Sequence, residues 1–219
     1  MVAGCSGPAK GSDPTEGFSA EKLYKEAKQE MASGSWDQAL PLLEKIESRY
    51  PFGLLAQQAQ LDTAYVYFRQ GERAQALSSV ERFLKLHPNH PVADYALYLR
   101  GVVQFNDNLG LFSALAAQDP SERDQQSMRD SFDAFKELVT RFPDSTYAPD
   151  SRLRMQYIRN AIASYEVHVA RYYLRRGVYL AAVNRAQKAI TEFDQTPALE
   201  EALVVMVQAY DAQIGRAHV

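Results

Sequence analysis

Apolar positions recur at three- and four-residue spacing from about Ser19 onward, and one pattern is written twice between Gly34 and Pro88. Gly34, Ala39, Leu43, Tyr50 and Pro51 are answered by Gly71, Ala76, Val80, His87 and Pro88, each 37 residues further on. Before them, Leu23, Ala27 and Met31 form the stripe of a first helix that Ser19 is placed to cap. Gly34-Ser35 turns the chain, and Trp36, Ala39, Leu43 and Ile46 line a second helix that must stop before Pro51. The next pair runs from about Ala56 to His87, with Ala64 and Tyr67 before Gly71 and with Ala76, Val80 and Phe83 after it. Small, apolar and proline positions at fixed offsets in a repeat of this length predict stacked helix-turn-helix units.

The small position on each first helix falls at Ala27, Ala64 and Gly101, then not again until Ala170. The wider last interval predicts extra chain in the third unit. Asn106 to Asp124 (NDNLGLFSALAAQDPSERD) breaks the period with glycine, proline and polar residues and separates that unit's two helices. Its second helix is expected from about Arg123 to Phe142, offering Phe132, Phe135 and Leu138 to the core and ending at Pro143. A longer first helix follows, beginning in Asp144 to Ala161 and capped by Asp144, Ser145 or Thr146. The fourth unit closes with Ala182, Ala186, Ile190 and Phe193. A fifth first helix is expected from Pro197 to Ile214 with Leu203, Val207 and Tyr210 in register, Gly215 beginning a turn. It has no partner before Val219, so one apolar face is left uncovered. This arrangement looks like the tetratricopeptide repeat: an all-α solenoid of about five helix-turn-helix units, the third interrupted and the fifth truncated.

The chain ahead of the first helix has a different character. Val2-Ala3-Gly4-Cys5 resembles the lipobox of bacterial lipoproteins, in which the cysteine carries the acyl chains, and Cys5 is the sole cysteine. Read from Met1, the sequence carries no charged and apolar export signal, so lipidation is expected only where such a stretch precedes the lipobox. Ser6 after the cysteine favours sorting to the outer membrane by the same analogy. Residues 1–17 are read as lipobox and disordered tether, 18–105 as N-terminal repeats facing substrate, and 106–219 as C-terminal repeats with the insertion, the docking end.

Composition and charge narrow the function. A hydrophobic fraction of 46% supports a sizeable core, and a formal charge of −3 argues against wholesale attraction to nucleic acid or to an anionic membrane. No apolar run reaches the roughly 18 residues that a membrane span requires. His87 and His90 flank Pro88 without a carboxylate or thiol to complete a metal set, His168 and His218 are isolated, and the neighbouring Glu200 and Glu201 point to different sides of a helix. No catalytic group, metal or cofactor is predicted.

Two features remain. Tyr24, Tyr65, Phe68, Arg69, Tyr95, Tyr98 and Phe105 fall on first-helix positions that would face a concave surface, as an aromatic groove for peptide or simply as core. Ser151 to Lys188 holds eight cations, Arg175, Arg176 and Arg185 among them, against the single carboxylate of Glu166. Such a run is either a solvated face or a dock for an acidic partner.

Beyond these patterns, particular residues carry a likeness. Tyr50-Pro51-Phe52-Gly53, Gln57-Gln58 to Leu61-Asp62, His90-Pro91 to Asp94-Tyr95, Tyr98, Arg100-Gly101, Arg123-Asp124, Tyr165-Glu166, Val169-Ala170, Tyr172-Tyr173, Arg176-Gly177 and Asn184-Arg185 resemble the BamD (ComL) family of outer-membrane lipoproteins. The likeness extends from the lipobox to about Tyr210 and includes the interrupted third repeat. It implies a lipid-anchored component of the β-barrel assembly machinery on the periplasmic face of the outer membrane. It implies docking of the C-terminal repeats, through Arg185 with Asn184, Arg176 and Arg175, on the POTRA domain of BamA nearest the barrel. It also implies contacts with BamC and BamE, and reception of the aromatic C-terminal signal of unfolded outer-membrane proteins by the N-terminal repeats. The likeness stops short of the family's final helix, the region of the BamE contact. Reversing Arg185 to Glu is expected to weaken the BamA contact without unfolding the chain. A periplasmic tetratricopeptide adaptor for peptidoglycan or other envelope enzymes is the alternative reading; it has no reason to carry the insertion or the Asn184-Arg185 pair.

Overall fold

The computed structural model describes residues 13–105 and 122–217, and among them all regular structure is helical. The helices are α1 (Ala20–Ser33), α2 (Trp36–Arg49), α3 (Leu54–Gln70), α4 (Arg73–Leu86), α5 (Ala93–Gln104), α6 (Glu122–Arg141), α7 (Ala148–Arg175), α8 (Tyr179–Glu192) and α9 (Ala198–Ala217). They fall into two compact units, Met1–Leu86 and His87–Val219.

The hairpins form where the sequence places its signals. Ser19 lies in extended backbone and its hydroxyl accepts the N–H of Lys22 at 3.3 Å, starting α1. Gly34 ends that helix at φ 78°, where its N–H reaches Met31 O and the N–H of Ser35 reaches Glu30 O at 2.9 Å. Gly71 repeats the arrangement at φ 82°, and the turn at Gly177 has the same pair of bonds. A residue with a Cβ is strained in that left-handed conformation, so glycine sets where each hairpin folds back.

In the first unit, α1 packs on α2, α2 on α3 and α3 on α4. Leu23, Ala27, Ala39, Leu43, Ile46 and Val66 are fully buried, as are Ala64, Ala76, Val80 and Phe83. In the second unit, α6 covers α5, α7 packs on α6, and α9 closes against both α7 and α8. Its core gathers Phe135, Ile158, Ala163, Ala170 and Ala186 with Phe132 and Tyr98 at its margin. Gly101 on α5 faces Phe135 of α6 so closely that a Cβ there would lie 2.5 Å from the ring.

Four expectations differ from what is observed. The end of the predicted tether is ordered, because Asp13–Gly17 forms a turn fastened to α2: Asp13 pairs with Lys45 and Arg49, and Arg49 also donates to the Thr15 carbonyl at 2.7 Å; Cys5 and the rest of the predicted tether lie outside the described residues. Helix α7 begins at Ala148 without a side-chain cap, since Ser145 is occupied by the Asp94 carboxylate and the Tyr147 N–H, with Pro149 in the first turn. On α9 Ala198, Ala202, Val205 and Ala209 are buried, whereas Leu203, Val207 and Tyr210 are exposed. Small side chains let α9 approach α7 and α8, which turns the large ones outward. The helix also continues past Gly215 to Ala217. The predicted insertion from Asn106 lies outside the described residues up to Ser121.

Gly101→Ala should destabilise the chain by about 1–3 kcal/mol in urea unfolding, because Phe135 is fully buried and must move to admit a methyl group.

Candidate docking surfaces

The seven aromatic-groove candidates divide between the units. In the first, Tyr65 meets Trp36 edge-on at 6.0 Å between ring centroids, and the Arg69 guanidinium lies 4.7 Å from the Trp36 ring and donates to the Tyr65 hydroxyl at 2.9 Å. This cluster of a cation and two rings joins the start of α2 to the last turns of α3, and Phe68 on the same stretch of α3 is half-buried. Tyr24 belongs instead to the α1–α3 contact: its hydroxyl donates to Asp62 at 2.8 Å, and Lys28 approaches the same carboxylate at 3.4 Å. Burial, and then the Asp62 hydrogen bond, hold the Tyr24 phenol well above the ordinary tyrosine range.

In the second unit, Tyr98 stacks on Tyr147 at 4.8 Å and Tyr95 leans on the same ring at 5.5 Å. The Tyr98 hydroxyl donates to Asp150 at 2.8 Å, and Arg154 Nε donates to the same carboxylate oxygen at 2.6 Å. Burial opposes ionisation of Asp150, yet the Arg154 and Tyr98 hydrogen bonds outweigh it and hold the carboxyl below its usual range. Phe105 packs edge-on against Tyr157 at 5.7 Å, with the Arg154 guanidinium 5.1 Å from its ring. Tyr98 and Phe105 both lie against the core, so these aromatics contribute packing as well as surface.

The basic stretch resolves into structurally different cations. Glu166 on α7 is fully buried, and α8 answers it twice: Arg185 Nη1 donates to Oε2 at 2.9 Å and Lys188 Nζ to Oε1 at 2.6 Å. The Glu166 hydrogen bond raises the pKa of Arg185 further against the opposing effect of burial. Arg154 is held by Asp150 and Arg171 by Glu201. Arg175 and Arg176 are exposed at the α7–α8 turn, beside exposed Tyr172, Val178, Leu180 and Asn184. The expectation that Arg185→Glu leaves the fold intact is therefore corrected. The new carboxylate would face the one carboxylate that α7 buries, and like charges in that setting are destabilising.

The sequence marks Glu166 as the lone acid among cations and as part of the family likeness, and the first of these is the trace of its role. It places Trp36 in an apolar stripe rather than at a surface and does not name Tyr147 or Leu180, whose importance depends on which neighbour each helix turns toward them. Among the described residues, no group of three or more histidine, cysteine or carboxylate side chains could hold a metal, and no helix is long and apolar enough to cross a membrane.

Comparison with known proteins adds identity to this geometry. The profile of the YfiO family, described as outer membrane lipoprotein, matches residues 17–217. The chain belongs to that family. It is 47% identical over 201 residues to the outer membrane protein assembly factor BamD of Neisseria meningitidis serogroup B, covering 92% of this chain and 75% of that one. It is 35% identical over 215 residues to the BamD of Vibrio cholerae, covering 98% and 88%. Among solved structures it resembles MamA at 13% identity, covering 88% and 97%, with a TM-score of 0.45.

Glu166→Gln should lower stability by about 1.5–3 kcal/mol, since two charge-assisted hydrogen bonds between α7 and α8 lose their anion. Chemical denaturation should place Arg185→Glu below Arg185→Gln in stability; the reverse order would remove the electrostatic reading of this contact.

Proposed function

We propose that this chain is a non-enzymatic, lipid-anchored scaffold of outer-membrane protein assembly, attached through Cys5 to the periplasmic face of the outer membrane. The α7–α8 corner docks an acidic surface of the POTRA domain of BamA nearest the barrel. The aromatic surfaces around Tyr65, Phe68 and Arg69, with those at Tyr95, Tyr98 and Phe105, receive the C-terminal signal of unfolded outer-membrane proteins. BamC and BamE are further partners. The assembly role rests on family membership and on relatives named as assembly factors across most of the chain.

The observation that carries the docking reading is the composition of the α7–α8 corner. Two exposed arginines, Arg175 and Arg176, stand beside Leu180, which is 64% exposed, and Val178, which is 48% exposed. Large apolar side chains left in water next to cations match the anchor-and-rim pattern of protein interfaces. Asn184 and Arg185 extend the patch along α8. Arg185 contributes from a fixed position, because Glu166 already holds one end of its guanidinium.

Leu180→Asp and Arg176→Glu should each weaken binding of the isolated POTRA domain by tenfold or more in calorimetric titration, with melting temperatures close to the parent. Parent-like affinity in both folded variants would contradict the docking assignment.

A further inference from the structure

The basic stretch has a second end that the docking corner does not use. Helix α7 has 28 residues and its hairpin partner α8 has 14. Pairing backwards from the Gly177 turn therefore leaves the first half of α7 beyond the reach of α8. A trough opens there, walled by α6 on one side and by the end of α8 and the following turn on the other. It consists of two adjoining cavities of about 320 and 440 Å³ that share Phe132 and Arg159.

Its lining has a direction. At one end Arg152 and Arg159 stand with the amides of Gln156, Asn160 and Gln195, and no carboxylate lines that end. The middle is apolar, built from Phe132, Met155, Ile162 and Phe193. The far end sets Arg129 against two carboxylates, Asp133 and Glu192, so the cationic character of the trough lies at the first end. The two arginines of the first end are loosely held. Arg152 reaches the Pro143 carbonyl at 3.4 Å, and Arg159 lies 3.8 Å from Asp194, a carboxylate that is itself 65% exposed. By comparison, Arg154 on the same helix sits 2.6 Å from its carboxylate.

We propose that this trough binds an acidic segment of a partner protein in extended form, with a carboxylate side chain between Arg152 and Arg159 and an apolar side chain over Phe132. Charge complementarity selects the carboxylate, since Arg152 is held by a carbonyl at 3.4 Å and the carboxylate nearest Arg159, that of Asp194, is exposed and 3.8 Å away. The amides supply both donors and acceptors, as a peptide backbone needs. From Arg152 to Ile162 the helix rises about 15 Å, enough for four or five extended residues. Two arginines flanking an apolar wall are too few and too confined for a phosphodiester chain or a lipid surface, which draw on broader cationic patches. About 35 Å of helix separates Arg152 from Arg175, so the trough and the α7–α8 corner are distinct surfaces.

The test uses the methyl resonance of Met155, which lines the trough, whereas Met31 and Met128 are buried in cores. The chain with labelled methionine methyls is titrated with acetyl-Asp-Phe-Asp-Leu-amide and, separately, with acetyl-Lys-Phe-Lys-Leu-amide. The acidic peptide should shift Met155 saturably. The lysine peptide should bind at least fivefold more weakly, and so should the acidic peptide to an Arg152→Glu/Arg159→Glu variant whose melting curve shows it folded. Arg159→Gln, which only removes charge, should fall between. Several results would overturn the proposal: no Met155 shift at millimolar acidic peptide, equal affinity for the two peptides, or undiminished binding by the charge-reversed variant. A Met155 shift produced by phosphatidylglycerol vesicles or by raising the protein concentration, but not by the peptide, would also overturn it and would assign the trough to lipid or to a second copy.

Discussion

Two helices pack at the separation seen in these hairpins only if the side chains at the crossing are very small. In the first unit that condition is met by Ala27, Ala39, Ala64 and Ala76, and in the second by Gly101, Ala170, Ala182 and Ala186, all buried. Methyl groups and hydrogens at the crossings leave no room there for rings, so many of the large aromatics collect at the margins of the helix pairs. Trp36, Tyr65, Tyr98 and Tyr147 are placed this way, half-buried against a core and partly open to solvent. The close packing that stabilises the hairpins thus also generates the aromatic surfaces from which a peptide could be held.

Helix α7 shows how a departure from the repeat creates exposed charged surface. Its C-terminal half is locked to α8 by a buried carboxylate whose two oxygens each accept from a different cation. The contact ties α7 to α8 at one register, while desolvation of Glu166 opposes part of its attraction to Arg185 and Lys188, which stay partly exposed. With register fixed, Arg175 and Arg176 are presented at one end of the helix and Arg152 and Arg159 at the other. A single basic run in the chain becomes two separate patches in space.

The helix pairs were legible in the sequence because their causes are local: glycine at the turns, proline beyond the ends, small residues at a constant interval. The interval also located the extra length of the third and fourth units. What stayed hidden depends on neighbours distant in sequence. Leu203, Val207 and Tyr210 have the spacing of a core stripe, and only the placement of α7 and α8 buries Ala198, Ala202, Val205 and Ala209 instead. Arg185 reads as a free cation until Glu166, two turns of helix and a hairpin away, is seen to hold it. Tyr24 and Tyr98 read as groove residues, and their hydroxyls prove committed to Asp62 and Asp150.

The central claim is that the α7–α8 corner is the face this scaffold turns to the membrane-inserting partner. It is tested most directly by placing a photo-crosslinking amino acid at Val178 in the full-length lipoprotein and irradiating intact cells. The account predicts one dominant adduct, identified by mass spectrometry as BamA through a peptide of its barrel-proximal POTRA domain. An adduct with a peptidoglycan enzyme, or none with BamA while the same probe in the trough or on α2 captures it, would contradict the account.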